Sequence, residues 1–232
     1  MRKKTIATMI LAAAASYSIV PTVLTRGANV IAAMARVFKR KEKCLYLTFD
    51  DGPGIHTPAV LAVLQKYEIP ATFFMVGEFA KKNPDLVHKI QENGHAIGLH
   101  SRWHKNPLWE APFSCYRDWN ESKRILDELQ IPVSYVRPPW GISNLAFLFW
   151  CKKQQVYPVF WNVMAEDWQA DTTPEEIAAK IIRRTKADDV ICLHDGRGEK
   201  NAPLRTAQAL EIALPKLLQQ GYRFCCLDER KK

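Results

Sequence analysis

Two adjacent carboxylates at the end of an apolar run are the first residues here whose types could do chemistry. Asp50 and Asp51 follow the strand-like residues 44–49 and precede Gly52-Pro53. Because side chains alternate along a strand, one carboxylate can face a cavity while the other reaches sideways. Gly-Pro turns the chain away from the strand. A turn with a helix cap is the alternative, and the apolar residues before the acids favour a site.

Two histidines four positions apart form the second signal. His100 and His104 lie in Gly98-Leu99-His100-Ser101-Arg102-Trp103-His104 and can hold a metal between them. Alone they are weak evidence, but with Asp51 they form a three-residue ligand set that leaves positions open for water and substrate. The same set occurs in non-haem iron oxygenases, which is the alternative interpretation.

Secondary-structure elements must position these residues. The chain alternates short apolar runs, typical of strands, with longer amphipathic runs, typical of helices. Strands are predicted at 44–49, 71–76, 96–99, 133–136, 157–163, 190–193 and 222–227. Helices are predicted at 58–67, 84–93, 114–129, 144–153, 174–185 and 203–219. Repeated strand-then-helix units imply a parallel sheet. About seven such units predict an α/β fold, namely a distorted (β/α) barrel.

The unusual polar residues fall at or just after the carboxyl ends of the predicted strands. They are Asp50, Asp51, His100, Arg137, Asp167 and His194. In a parallel α/β barrel this rim is the active-site face. Each residue is weak evidence alone, and together they predict one site.

In order, the motifs are Thr48-Phe49-Asp50-Asp51-Gly52-Pro53, His100-Ser101-Arg102-Trp103-His104, Arg137-Pro138-Pro139-Trp140-Gly141, Asp167-Trp168 and Ile191-Cys192-Leu193-His194-Asp195. This set resembles the NodB-type polysaccharide deacetylases, which are metal-dependent carbohydrate esterases. The resemblance covers roughly residues 43–227. It implies a distorted (β/α) barrel that removes N- or O-acetyl groups from sugars.

The resemblance also implies roles for these residues. Asp51, His100 and His104 would hold a divalent metal, with zinc expected and cobalt, nickel or manganese possible. Asp50 would be the general base and His194 the general acid.

Arg137 would pair with Asp50, and Asp167 would orient His194. The family also uses a backbone N–H of the third motif to hold the oxyanion, which here is that of Trp140. The chemistry supports such a set, because a metal polarises the amide carbonyl, a carboxylate takes a proton from water, and a histidine protonates the departing amine.

We expect the substrate to contact Trp140 and Trp168, because aromatic faces stack on sugar rings. Pro139 and Leu193 are the other residues predicted to contact the substrate. Trp161 is assigned to packing. The chain departs from the family pattern at Met164, where an Asp is usual, and at Trp140, where Tyr is frequent.

The net charge of +9 does not indicate a nucleic-acid partner, because it is concentrated at one end. Residues 1–43 hold nine Lys and Arg residues against the single acid Glu42, whereas residues 44–232 are nearly neutral. We therefore divide the chain into an N-terminal anchor with a basic linker, residues 1–40, and a catalytic domain, residues 41–232.

Residues 5–24 contain no charge and are long enough to span a bilayer. We predict a membrane anchor with the catalytic domain outside the cytoplasm. A cleaved signal peptide with secretion is the main alternative. A buried helix is the least favoured, because it would need a partner outside the catalytic unit. The six cysteines, none in a C-x-x-C pair, are predicted to be buried free thiols.

Together these features predict a metal-dependent hydrolase that deacetylates an N-acetylated amino sugar in a cell-envelope or extracellular glycan such as peptidoglycan or chitin. Three alternatives remain open: a deformylase or deacetylase of a lipid-linked amino sugar, an O-acetyl xylan esterase, and an inactive carbohydrate-binding protein. Oligomeric state is not readable from the sequence.

Overall fold

The computed structural model describes residues 8, 12–13, 15–37, 43–198 and 201–227 of the 232-residue chain. Within this part the strands are β1 Cys44–Asp50, β2 Ala71–Met75, β3 Ala96–Leu99, β4 Tyr135–Val136, β5 Tyr157–Pro158, β6 Val163–Met164, β7 Val190–His194 and β8 Arg223–Phe224. The α-helices are α1 Val20–Val37, α2 Thr57–Lys66, α3 Gly77–Lys82, α4 Pro84–Glu92, α5 Pro112–Glu128, α6 Leu145–Gln154, α7 Pro174–Arg184 and α8 Ala202–Gln219. A π-helical turn, Ala15–Ile19, precedes α1, and a 3-10 turn, Pro139–Gly141, follows β4.

The strands form one parallel sheet in the order β5-β4-β3-β2-β1-β7-β6, with β8 also paired to β1. Helices connect most of the successive strands, as a parallel sheet requires. The sheet curls into an open barrel whose two edges, among the described residues, are β5 and β6. The prediction of a distorted (β/α) barrel is therefore confirmed.

The segment 157–163, predicted as one strand, forms parts of two strands at opposite edges of the sheet. Tyr157 and Pro158 pair with β4, whereas Val163 and Met164 pair with β7. The residues between them cross the opening of the barrel, which places Trp161 at the mouth of the site. Helix α3 also went unpredicted, because its six residues are too few to show a periodic pattern.

Strand β1 explains how the fold positions its carboxylates. Its alternate residues Leu45, Leu47 and Phe49 are buried in the larger hydrophobic core, which the helices also line. Tyr46 belongs to a second, smaller core cluster. The alternation of side chains places Asp50 on the same face of the strand as Tyr46, inside the curl of the sheet.

The predicted membrane anchor is wrong. Among the described residues, none of the helices combines the length and the apolar character that crossing a bilayer requires. The predicted span, residues 5–24, includes a π-helical turn and only the first part of α1. Residues 5–7, 9–11 and 14 of that span lie outside the described residues. So do residues 38–42, in which the predicted domain boundary falls.

Helix α1 instead contacts the barrel, so its packing does not need the partner outside the catalytic unit that we expected a buried helix to require. The Thr22 hydroxyl accepts a hydrogen bond from Ser143 N at 3.0 Å. Asn29 Nδ2 donates to Trp161 O at 3.2 Å. The side of α1 that meets the barrel is therefore polar, whereas Val23, Leu24 and Ile31 are exposed.

The prediction of a free thiol is wrong for two of the six cysteines, because Cys44 and Cys225 form a disulfide. Strand β8 runs beside β1 with Leu45 opposite Phe224, which brings the two cysteine Cα atoms to 6.1 Å. Their separation of 181 residues hides this neighbourhood from the sequence. The prediction of buried thiols is confirmed for Cys115, Cys151 and Cys192, whereas Cys226 is only partly buried.

His95 makes the stability of this fold depend on pH. The side chain is buried, and neither ring nitrogen has a hydrogen-bond partner among the described residues. Burial lowers the pKa of His95 from 6.5 to about 4. Between these values the unfolded chain binds a proton that the folded chain does not, so stability falls as the pH drops from 7 towards 4.

We expect His95→Leu to lessen this loss by about 2 kcal/mol between pH 7 and pH 4.5. The measurement is urea unfolding of the full chain at both pH values. His88→Leu, at a partly buried histidine on α4, is the matched control. An unchanged difference between the two pH values in His95→Leu would contradict the expected role of His95.

Candidate active site

One pocket of about 580 Å³ lies at the carboxyl ends of the strands. It is lined by Arg26, Asp50, Asp51, His100, His104, Trp140, Trp161, Met164, Trp168, His194, Arg197 and Gly198. The structure thus brings together two of the three predicted acids, Asp50 and Asp51, all three predicted histidines and two of the predicted substrate residues. Arg137 and Asp167 lie behind the pocket wall, where both are fully buried.

Asp51, His100 and His104 offer a site for a cation. Asp51 Oδ1 lies 3.0 Å from His104 Nε2 and 3.4 Å from His100 Nε2. Burial alone would raise the pKa of Asp51, but the imidazoles of His104 and His100 hold the pKa well below its ordinary value. The carboxylate is therefore ionised, as a metal ligand must be.

The surroundings of these three residues fit a metal. Asp51 Oδ1 is buried and has no well-aligned hydrogen bond among the described residues, so it is left for another partner. His100 Nδ1 donates to the backbone oxygen of Arg137 at 2.7 Å, an arrangement that leaves Nε2 as the free lone pair facing Asp51. The donor set of one carboxylate and two imidazoles suits zinc and related divalent ions.

The backbone adopts unusual conformations at this site. Asp51, Ser101 and His104 have φ values of 71°, 64° and 54°, in the left-handed region that non-glycine residues seldom occupy. Ser101 Oγ accepts a hydrogen bond from His104 N at 2.9 Å and stabilises the turn between the two histidines. The histidines therefore lie on a loop, not on the helix that their spacing of four might indicate.

Asp50 is held by donors on both of its oxygens. Arg137 Nη1 donates to Oδ1 at 2.7 Å, and the Cys192 thiol donates to Oδ2 at 3.3 Å. Arg137 is itself fixed by bonds to Thr48 Oγ1 and to the Val159 carbonyl oxygen, and its guanidinium lies 4.2 Å from the centre of the Phe74 ring. The carboxylate therefore has one orientation towards the pocket.

His194 and Asp167 form a second pair across the pocket. His194 Nδ1 lies 3.0 Å from Asp167 Oδ1, while Asp167 Oδ2 accepts from His194 N and from Thr206 Oγ1. Burial alone would lower the pKa of His194, but the Asp167 carboxylate outweighs it and raises the pKa to about 9. The imidazole is therefore protonated near neutral pH and can donate a proton.

The loop that carries Asp51 is packed tightly against the end of β7. Asp195 accepts a hydrogen bond from Thr57 Oγ1 at 2.5 Å, and Thr57 Oγ1 accepts one from Gly54 N at 2.8 Å. A Cβ atom at Gly52 would overlap the Asp195 carboxylate, and one at Gly196 would overlap the backbone of Asp51. Both glycines are needed for this close approach.

Aromatic side chains form the walls of the pocket. The rings of Trp140 and His104 have centroids 4.4 Å apart, and Trp161 and Trp168 line the same pocket. Trp161, which we assigned to packing, is therefore a wall residue. Pro139 and Leu193, which we expected to contact substrate, are buried and do not line the pocket. Leu193 is in the core because β7 alternates, with His194 facing the pocket.

Sequence reasoning missed several residues of the site. Thr48, Cys192 and Thr206 hold Asp50, Arg137 or Asp167 from behind, and nothing in their types distinguishes them from core residues. Arg26 reaches the pocket from α1. A signal for Arg26 existed, because Thr22, Arg26 and Asn29 form a polar stripe at helical spacing in an otherwise apolar stretch.

Comparison with protein families matches residues 38–159 to the family described as polysaccharide deacetylase. The chain is 34% identical over 191 residues to a peptidoglycan-N-acetylglucosamine deacetylase of Bacillus cereus, covering 81% of this chain and 88% of the relative. It is 30% identical to a chitooligosaccharide deacetylase of Azorhizobium caulinodans, with 84% and 97% covered. It is 31% identical to the peptidoglycan-N-acetylmuramic acid deacetylase PdaA of Bacillus subtilis, with 82% and 72% covered.

Solved structures agree with these relatives. The Bc1960 peptidoglycan N-acetylglucosamine deacetylase superimposes with a TM-score of 0.74 at 29% identity, covering 82% of this chain and 88% of that one. A family 4 acetyl xylan esterase from Clostridium thermocellum, solved with a cobalt ion, gives a TM-score of 0.72 at 29% identity, with 81% and 89% covered.

Proposed function

Because the chain belongs to the polysaccharide deacetylase family, we propose that it is a metal-dependent hydrolase that removes N-acetyl groups from amino sugars of a cell-envelope or extracellular glycan. The observation that carries the proposal is that three features meet in one pocket: a cation site, the Asp50 carboxylate fixed by hydrogen bonds, and the protonated His194. A binding protein would need the aromatic walls but not the opposed pairs Asp50–Arg137 and His194–Asp167.

Asp51, His100 and His104 are the residues that would hold the metal, and zinc is the ion we propose for them. When bound, the metal polarises the acetyl carbonyl and acidifies a water molecule. The protein supplies the orientation of these ligands, through the bond from His100 to the Arg137 carbonyl and the turn at Ser101.

Asp50 is proposed as the general base that takes the proton of the attacking water. Arg137 lies behind the carboxylate and offsets its negative charge, while both donors prevent it from rotating away from the pocket. A positioned base of this kind typically accelerates a reaction by about 10²–10⁴-fold. The backbone N–H of Trp140 is proposed to stabilise the oxyanion.

His194 is proposed as the general acid. An amine is a poor leaving group until it is protonated, and His194 carries a proton near neutral pH. Asp167 fixes the imidazole by accepting from Nδ1, which leaves Nε2 to deliver the proton to the amine nitrogen. Trp140, Trp161 and Trp168 are proposed to stack on the faces of the sugar rings.

The test is acetate release by the full chain from peptidoglycan, chitooligosaccharides and acetylated xylan, with zinc or cobalt and with chelator. We expect acetate from an N-acetylated glycan, lost on chelation and restored by metal. Acetate from acetylated xylan alone would indicate an ester hydrolase instead. Bound metal without acetate from any of these glycans would contradict the proposal.

A change at Asp167 tests the assignment of the acid. In Asp167→Asn the pKa of His194 falls, since the carboxylate that raises it is gone. A general acid must be protonated, so the alkaline limb of the pH profile of kcat/KM moves to lower pH. We expect activity at pH 8.5 to fall by at least about tenfold more than activity at pH 6.5.

Both enzymes are assayed with the same metal, so that its charge affects them equally. Thr206→Val is the matched control, because it removes one hydrogen bond to Asp167 but leaves the carboxylate in place. A uniform loss of activity at every pH in Asp167→Asn would show that Asp167 does not act through the protonation of His194.

A further inference from the structure

Helix α1 brings a positive charge into the active-site pocket. Arg26 lines the pocket together with Asp50, Asp51 and His194, although it precedes the catalytic sheet by almost twenty residues. Its Nε donates to Gly141 O at 3.1 Å, and its Nη2 donates to Trp140 O. Its guanidinium also lies 5.9 Å from the centre of the Trp161 ring. Arg26 is therefore fixed to two of the three tryptophan segments of the pocket, those of Trp140 and Trp161.

The contacts of Arg26 leave its charge without a counterion. Its two hydrogen-bond acceptors are backbone carbonyls, which accept protons but carry no net negative charge. None of the ion pairs among the described residues includes Arg26. The remaining guanidinium nitrogen, Nη1, forms none of the hydrogen bonds described for this residue and stays available to a ligand.

The acids in and behind the pocket wall already have partners other than Arg26. Asp50 pairs with Arg137 at 2.7 Å, and Asp167, behind the wall, pairs with His194 at 3.0 Å. Asp51 faces the two imidazoles of the cation site. Arg197 adds a second guanidinium to the pocket lining. The pocket therefore holds more positive charge than its own carboxylates balance, even before a divalent metal is counted.

We propose that Arg26, with Arg197, binds a carboxylate of the glycan close to the sugar that is deacetylated. This inference rests on the proposed function and names its substrate class, an N-acetylated glycan whose sugars carry carboxylates. A guanidinium binds a carboxylate through charge-assisted hydrogen bonds, which are stronger than bonds between neutral groups. Arg26 suits this role because α1 and the backbone of Trp140 and Gly141 hold it in place before the substrate arrives.

The test uses two forms of one substrate. Glycan strands of peptidoglycan, freed of peptides, carry the carboxylates of their muramic acid residues; the second form has these carboxylates converted to neutral amides. We expect Arg26→Gln to lower kcat/KM on the anionic strands by at least about tenfold, chiefly through KM. On the neutral strands and on chitooligosaccharides, which offer no carboxylate, the loss of kcat/KM in the variant should be at least about fivefold smaller than on the anionic strands.

Two further variants test whether the effect depends on the positive charge at position 26 itself. Arg26→Lys keeps the positive charge and should retain part of the preference for the anionic strands. Arg124→Gln, which removes an exposed arginine on α5, controls for the net charge of the protein. It should leave the preference unchanged.

The possible results are distinct. An equal loss on anionic and neutral strands in Arg26→Gln would show that Arg26 only positions Trp140, and would overturn the carboxylate site. If the wild-type protein had equal kcat/KM on the anionic and the neutral strands, the carboxylate site would also be overturned, but the deacetylase function would stand. If the unchanged protein released no acetate from any form, the proposed function itself would fail.

Discussion

Asp50→Asn is expected to reduce kcat by about 10³-fold while leaving the metal in place. The amide keeps the shape of the carboxylate, so the contacts with Arg137 and Cys192 need little rearrangement. It cannot accept the proton of water, however, which is the task we assign to Asp50. Asp51, His100 and His104 are untouched, so metal content should equal that of the unchanged protein.

The measurement is kcat and KM for acetate release, together with metal content from elemental analysis of the purified protein. Asp127→Asn, at a solvent-exposed carboxylate on α5, is the matched control and should behave as the unchanged protein. Turnover of Asp50→Asn at an undiminished rate would show that another group is the base. Loss of metal in this variant would assign Asp50 to the cation site instead.

His104→Ala has the second large expected effect, and it acts on the metal itself. The imidazole contributes one of the three converging ligand atoms, and its Nε2 lies 3.0 Å from Asp51 Oδ1. Removing even an outer hydrogen-bond partner of a metal ligand weakens metal binding by about 10–100-fold. We therefore expect loss of a ligand to weaken it by more than about 10²-fold and to abolish activity at low metal concentration.

Zinc affinity, measured by competition with a chelating dye, is the direct readout. His56→Ala is the matched control, since His56 lies before α2 and contacts Asn201 instead of the cation site. Because activity needs the metal, excess zinc should restore part of the activity of His104→Ala but none of that of Asp50→Asn. Unaltered zinc affinity in His104→Ala would contradict the assigned ligand set.

The order of apolar runs and polar residues was enough to predict the barrel and the rim of its active site. Strand-helix repeats require a parallel sheet, and all parallel strands direct their carboxyl ends to one edge. Asp50, His100 and His194 each follow such a run, so their convergence could be inferred without coordinates. The residues that hold them from behind, such as Thr206, could not, because a buried threonine looks the same wherever it packs.

The N-terminal segment shows where local reasoning fails. Its apolar composition matched that of a bilayer span, and a helix was indeed present. Composition does not reveal what a helix packs against. The residues that join this helix to the barrel, Thr22, Arg26 and Asn29, are a small polar minority in the segment. Their hydrogen bonds to Ser143, Gly141 and Trp161 join positions more than a hundred residues apart.

By itself, the sequence determined the fold class, the family and the residues proposed to bind metal and move protons, since these depend on residue type and on regular spacing. Only the tertiary structure decided the Cys44–Cys225 disulfide, the burial of Leu193 and the place of Arg26 in the pocket. Each of these depends on contacts between distant segments, whose geometry is determined by how the whole chain packs and not by any local pattern.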